Sequence, residues 1–421
     1  MYRRLKHFCH ADRPGQDRRR AAGSLSSRLP LIAALLLLLA APFAVAADDD
    51  KPTVAFLRFG QSPSFALTDM AVLDMLEVYG FISAEERDTL EGDNDLRGEN
   101  INILYRDAGF DFPTANIMVE DALDEGADVF LTVSTQVGMI ALGAMSDIED
   151  PPALIFAIVT EPYSTGLAAA TCIKPPNVTG TLMHFDYEEY TNIIYMQDPD
   201  FQIIGVLANA DDPASADYVS SVELFGERFG FTVEVATVVT AADYAPGTDA
   251  LIDKNVDAIA LPPRTGSSGG VPAIVDAAYD VPVFSSLVSD VIHGVTIAAG
   301  FEGWYREGQQ AARMLIAYLE GNLDIATTAV ASTPGFAVAV NLDSAEAQGV
   351  VIADKLLARA DYIVEGGAGA GVTIEIPGEI GLAEMTLEER RAEDAAFLAN
   401  LHCSPDMIAE QLSALPAEDQ H

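Results

Sequence analysis

The stretch LIFAIVTEPYSTGLAAATCIKPPNVTG, Leu154 to Gly180, decides the fold. Its opening run, Leu154 to Val159, is apolar without alternation, the pattern of a parallel strand covered on both faces. The run stops at Thr160, Glu161 and Pro162. In open α/β sheets such a strand end opens onto a crevice where ligands collect, so function is expected there.

The same grammar runs outward from this strand. Upstream, Val54 to Phe59 reads as a strand, followed by a helix with Val72, Met75, Leu76 and Tyr79 on one stripe. Ile101 to Tyr105 precedes a helix carrying Ala115, Met118, Val119, Ala122 and Leu123, and Val129 to Val133 precedes a helix starting near Gln136. Downstream, the runs 203–207, 233–239, 258–261 and 281–284 alternate with helix-period segments. The expectation is an α/β protein of two Rossmann-like lobes with parallel sheets. Pro175-Pro176-Asn177 and the Asn177-Val178-Thr179 that follows read as a first interlobe turn. Further crossings are expected near residues 295–300 and 333–335. The lobes then comprise residues 47–178 with 300–334 and residues 179–299 with 335–352, followed by an acidic tail, 353–421, with helical stretches.

Charge and composition narrow the function. Arg3, Arg4, Lys6 and five further arginines precede the apolar run Leu31 to Ala41, which is short for a bilayer span, and Ala44-Val45-Ala46 forms an A-x-A exit. Residues 1–46 therefore read as a cleaved signal peptide, with a periplasmic destination. Its removal takes away eight basic and two acidic residues, leaving 15 basic against 62 acidic and a net charge of −47. Such a surface repels nucleic acid and anionic lipid, and its self-repulsion favours a monomer. About 375 residues remain, enough for two full cores. In an exported chain Cys172 and Cys403 can close a disulfide between the tail and the first lobe, and two free thiols are the other reading. The histidines do not cluster, so neither a metal nor another cofactor is expected. No nucleophile stands with a base at usable spacing, and RTGSSGG, Arg264 to Gly270, lacks the Lys-Ser/Thr of a phosphate loop.

The order of VAFLRFGQSPSF, IFAIVTEPYSTGL, NVTGT, IIGVLANADDPAS, DAIALPP, VPVFSS and GFEGWYREGQQAARMLIAYLEG resembles the ABC transporter substrate-binding proteins, over about residues 52 to 352. These are type I periplasmic binding proteins, some of which bind tryptophan or other aromatic amino acids. The resemblance implies three crossing strands, a solute gripped between the lobes, and a membrane permease and ATPase as partners. A sensor that docks on a membrane kinase or chemoreceptor uses the same cleft and is the alternative.

Candidate ligand residues follow from strand ends. In the first lobe these are Phe59 and Gln61, for stacking and orientation, and Ser134, Thr135 and Gln136, at a strand-to-helix turn suited to an anionic group. Thr160 and Glu161 correspond to the family's Thr-Asp pair. In the second lobe Asn209, Ser215, Ser285 and Ser286 either bind ligand or serve their own turns. Glu302 stands where the family commonly has Asp, beside Trp304 and Tyr305, which either wall the pocket or pack the hinge. Arg264 stands where similar proteins often carry an acid. Its planar donor fork suits a carboxylate, which points to a small organic acid, aromatic or not, rather than to the simple amino acid that the resemblance implies.

Overall fold

A computed structural model describes residues 51–209, 213–263, 270–366 and 381–415. The expected signal peptide and Arg264 lie outside these residues. Among the described residues, β1 (Thr53–Arg58), β2 (Leu96–Arg97), β3 (Asn102–Asp107), β4 (Val129–Val133), β5 (Ala153–Val159) and β6 (Val178–Met183) enter one sheet. A second sheet takes β7 (Ile203–Asn209), β8 (Thr232–Val238), β9 (Ala258–Leu261), β10 (Val283–Leu287) and β11 (Ile297–Phe301). β12 (Ala331–Thr333) returns to the first sheet, and β13 (Ala337–Asn341) and β14 (Tyr362–Val364) to the second. The strand orders are β12-β6-β5-β4-β1-β3-β2 and β14-β13-β11-β10-β9-β7-β8.

Strand alternation builds a core on each face of the sheets. In the first lobe Val54, Phe56, Leu131 and Ile155 point to one side, where residues of helices Pro63–Val78 and Trp304–Leu319 cover them. Ala55, Leu57, Phe130, Leu154 and Phe156 point to the other, under helices Phe112–Asp124 and Thr135–Met145. The second lobe repeats the arrangement, with Ile204, Val206, Ala258 and Ala260 on one side and Leu207, Ile259, Leu261 and Val283 on the other.

The chain passes between the lobes after β6, through His184–Asp186, after β11, through Glu302 and Gly303, and after β12, through Pro334–Phe336. All three passages leave the C-terminal ends of their strands, so those ends border the interlobe cleft. This corrects the first crossing. The 175–180 stretch is no interlobe turn, because Val178–Met183 pairs in parallel with β5 inside the first sheet. Asn177 serves that pairing, its carbonyl accepting Leu154 N–H at 2.8 Å and its amide donating to Pro152 O at 3.0 Å. The sheets are also not uniformly parallel. β11 runs toward the cleft and exits, whereas β13 enters from the cleft, so the two must pair antiparallel. β2 pairs antiparallel with β3 at the far edge.

The tail does not hang free of the lobes. β14 extends the second sheet beside β13, moving that lobe's edge past residue 352. Helix Leu387–Ala399 lies on the first lobe, where Arg391 grips Glu320 with two 2.8 Å hydrogen bonds and Arg313 meets Asp394 at 2.6 Å. Cys172 and Cys403 form a disulfide that pins the next segment to the same lobe. No helix among the described residues is long and apolar enough to cross a membrane.

Candidate functional site

The C-terminal end of β5 meets helices of the second lobe around Glu161. A cavity of about 420 Å³ takes walls from both lobes: Thr160, Glu161 and Tyr163 beyond β5, the 182–188 stretch of the first crossing, and Asp217, Ser221 and Phe225. The last three stand four residues apart on helix Pro213–Phe229 and therefore share one face. Asp186 begins the wall's own helix, Tyr187–Gln197, as its N-cap, accepting Glu189 N–H at 2.9 Å.

Glu161 and Asp217 carry the electrostatics of this cavity. Burial, then the Asp217 carboxylate and a hydrogen bond to it, push the Glu161 carboxyl up to about 7. A hydrogen bond between two carboxyl groups needs one proton, so the two acids share a proton across the lobes when Glu161 is in its protonated form, which is about half populated near neutral pH. Burial and then Glu161 also push the Tyr163 hydroxyl up. An acid from each lobe, with Tyr163, Phe185, Tyr187 and Phe225 around them, suits a small solute with a ring and a cationic group. Among the described residues no group of three or more His, Cys, Asp or Glu could hold a metal ion.

Next to β5, Ser134 ends β4 with φ +104°, a left-handed backbone for a serine. Its N–H donates to Ala157 O at 3.0 Å, and its buried hydroxyl has no hydrogen-bond partner. Ser134 does not cap the helix Thr135–Met145 with its side chain, so the first N–H groups there keep their capacity for an acceptor. Thr135 and Gln136 are half-buried in that first turn.

Other sequence-predicted residues are placed away from the cavity. Phe59 is core, tilted against Phe112 with centroids 4.9 Å apart and edge-on to Phe110 at 5.9 Å. Gln61 is exposed and donates to Asp93 at 3.1 and 3.2 Å. The second-lobe hydroxyls each have a partner within the chain. Ser215 Oγ accepts Asn209 N–H at 2.9 Å, Ser285 donates to Asp290 at 2.6 Å, and Ser286 donates to Leu261 O at 3.0 Å. Asn209 is half-buried at the end of β7, and Glu302 is half-buried in the second crossing. Trp304 packs at the hinge, edge-on to Phe301 at 5.2 Å and tilted to Phe65 at 6.3 Å, and Tyr305 donates its hydroxyl to Asp74. Sequence reasoning missed Asp217. The signal was the 217, 221, 225 spacing just after a strand end, read only as part of a helix.

The model of the family described as ABC transporter substrate binding protein matches residues 85–364. A tyrosine-binding protein of Clostridioides difficile (strain R20291) is 24% identical over 272 residues, covering 64% of this chain and 75% of that protein. A conserved domain protein from Vibrio cholerae O1 biovar El Tor str. N16961 superposes with a TM-score of 0.64 and 23% identity, over 74% of this chain and 99% of that one. An ABC domain from Streptococcus pneumoniae, solved in complex with L-Trp, gives a TM-score of 0.64 and 21% identity, over 75% and 100%. These likenesses carry the two-lobed type I periplasmic binding fold. With more than half of its sequence matched, the chain belongs to the ABC transporter substrate binding protein family, a family of solute-binding proteins and not of enzymes.

Proposed function

We propose that this chain is exported by its leader, captures an aromatic amino acid or a related small aromatic acid between its lobes, and delivers it to an ABC permease and ATPase. The observation that carries the reading is the cavity whose walls come from both lobes, with Glu161 facing Asp217 across it. Its volume of about 420 Å³ falls in the range of small-molecule pockets. A ligand ammonium entering there displaces the shared proton and leaves two carboxylates around one cation. The ligand's carboxylate then has the N–H donors at the uncapped start of helix Thr135–Met145, beside the Ser134 hydroxyl, as its hydrogen-bond partners. Arg264, the sequence's candidate for a carboxylate, is the further partner in this proposal. The ligands named for the similar proteins, tyrosine and L-Trp, combine these groups.

A thermal-shift and calorimetry series tests the reading with L-tyrosine, L-tryptophan, L-phenylalanine and their deaminated aromatic acids. A ligand at a hundred times its Kd adds about 3 kcal/mol to the folded state. At least one compound should raise Tm, and Asp217→Ala should weaken that compound tenfold or more when it carries an amine. Binding unchanged by both Glu161→Ala and Asp217→Ala would remove the cavity from the mechanism.

A further inference from the structure

Strand β5 does not run straight into the cavity. Its pairing with β6 goes from Phe156 opposite Gly180 to Val159 opposite Leu182, so β5 carries one extra residue there. This is a β-bulge, a feature that re-aims the residues after it. Ile158 sits in the bulge at φ +54°, a backbone that a β-branched side chain rarely adopts. Gly180 faces it so closely that a Cβ there would lie 2.2 Å from Phe156 O. The residues aimed by the bulge are Thr160 and Glu161, and its Ala157 carbonyl holds Ser134 N–H.

A bulge frees backbone groups from the ladder, and a buried N–H needs another partner. Ile158 N–H donates to Glu307 Oε1 at 3.1 Å, and Thr181 Oγ1 donates to the same oxygen at 2.6 Å. Glu307 is fully buried in the first turn of helix Trp304–Leu319, directly after the second crossing. Thr181 lies in β6, just before the first crossing. Gln310, one turn along that helix from Glu307, accepts from Thr333 Oγ1 at 2.9 Å, at the start of the third crossing. We propose that Glu307 is the positioning residue of the cleft: it holds the bulge that aims Thr160 and Glu161, and ties that bulge to the strands and helix that form the hinge. Both hydrogen bonds end on Oε1, an acceptor that a glutamine amide also supplies, while burial raises the Glu307 carboxyl against the opposing hydrogen bonds from Thr181, Thr333 and Ile158 N–H. A glutamine should therefore replace it, and an alanine should not.

The inference rests on the placement of Glu161 in the cleft but needs no ligand for its test. Glu161 faces Asp217, with Tyr163, His184, Asp186 and Glu188 lining the same cavity, and its titration reports whether it still meets Asp217. Carbon-13 NMR of the labelled carboxyl groups of the full chain reads that midpoint, assigned with Glu161→Gln. Glu307→Gln should leave it near 7, as in the parent. Glu307→Ala, folded by circular dichroism, should lower it by about one pH unit or more, as Glu161 leaves Asp217 for water. Thr181→Val, which removes one donor to the same oxygen, should move it the same way by less. A folded Glu307→Ala with the parental midpoint, or a Glu307→Gln as displaced as the alanine, overturns the proposal. If Glu307→Ala does not fold, an unshifted Thr181→Val overturns it. Because no solute enters, a wrong choice of ligand leaves these outcomes intact.

Discussion

Asp290 is 2% exposed, and its Oδ2 accepts from Ser285 Oγ at 2.6 Å. Burial pushes its carboxyl up to about 7, with the Ser285 hydrogen bond opposing. In the unfolded chain an aspartate titrates at about 4, so between these values the folded state holds a proton that the unfolded state has lost. Stability from this group is full below the lower value and is lost as pH rises through about 7, on the order of 1 kcal/mol per pH unit. Glu161 adds in the same direction. Calorimetric Tm should therefore fall between about pH 4 and about pH 7, and Asp290→Asn should flatten the slope. A parallel slope in the variant would place the titration elsewhere. Arg58 is the opposite case, a buried cation within 3.1 Å of Asp69 and 2.6 Å of Asp93, lying 4.2 Å over the Tyr105 ring. Gln61 joins this cluster through Asp93, which is why it stands outside the cavity. At this scale the sequence was legible in residue type and blind to partners. Ser285, Ser286 and Ser215 read like Thr160 and Glu161, polar groups after strands. What separates them is whether another part of the chain already takes up the side chain, and that depends on atoms such as Leu261 O, 25 residues away.

Elements were more legible, because their signals are local. The apolar runs of β1, β4, β5 and β9 and the stripes of the helices between them need no distant information. β6 was the exception. Its buried face carries Thr179 and Thr181, whose hydroxyls donate to Thr328 and Ala329 carbonyls and to Glu307, 126 to 150 residues away. Two threonines and a glycine after a proline pair look like a turn until those partners arrive. Close packing between distant elements was likewise hidden. Helices Pro63–Val78 and Trp304–Leu319 approach so closely at Gly308 that a Cβ would lie 2.2 Å from Thr68 O. Thr68 also donates its hydroxyl to Trp304 O at 2.8 Å, fixing the contact at the hinge. Gly308→Ala should cost about 1–3 kcal/mol by forcing backbone apart, visible as a lower urea midpoint. An unchanged midpoint would mean that the helices can separate without loss.

For the whole molecule, two lobes with a cleft were readable from the repeated strand–helix grammar, but the first crossing was misplaced onto β6. In the tail the helical stretches were legible and the Cys172–Cys403 bridge was one of two readings, whereas the seat of helix Leu387–Ala399 was not, since it depends on Arg391 and Arg313 acting across the fold; the disulfide fixes the segment that follows. That disulfide spans 231 residues of sequence, from Cys172 in the first lobe to Cys403 beyond helix Leu387–Ala399. Every strand of the second sheet lies between the two cysteines. Pulled by its two ends in an optical trap, the oxidised protein should therefore carry tension from the first five strands straight through the sulfur bridge. The second lobe should remain slack and native inside the loop. Under reductant the same pull should release the full contour length, and equal extensions in the two states would show that the bridge bears no force.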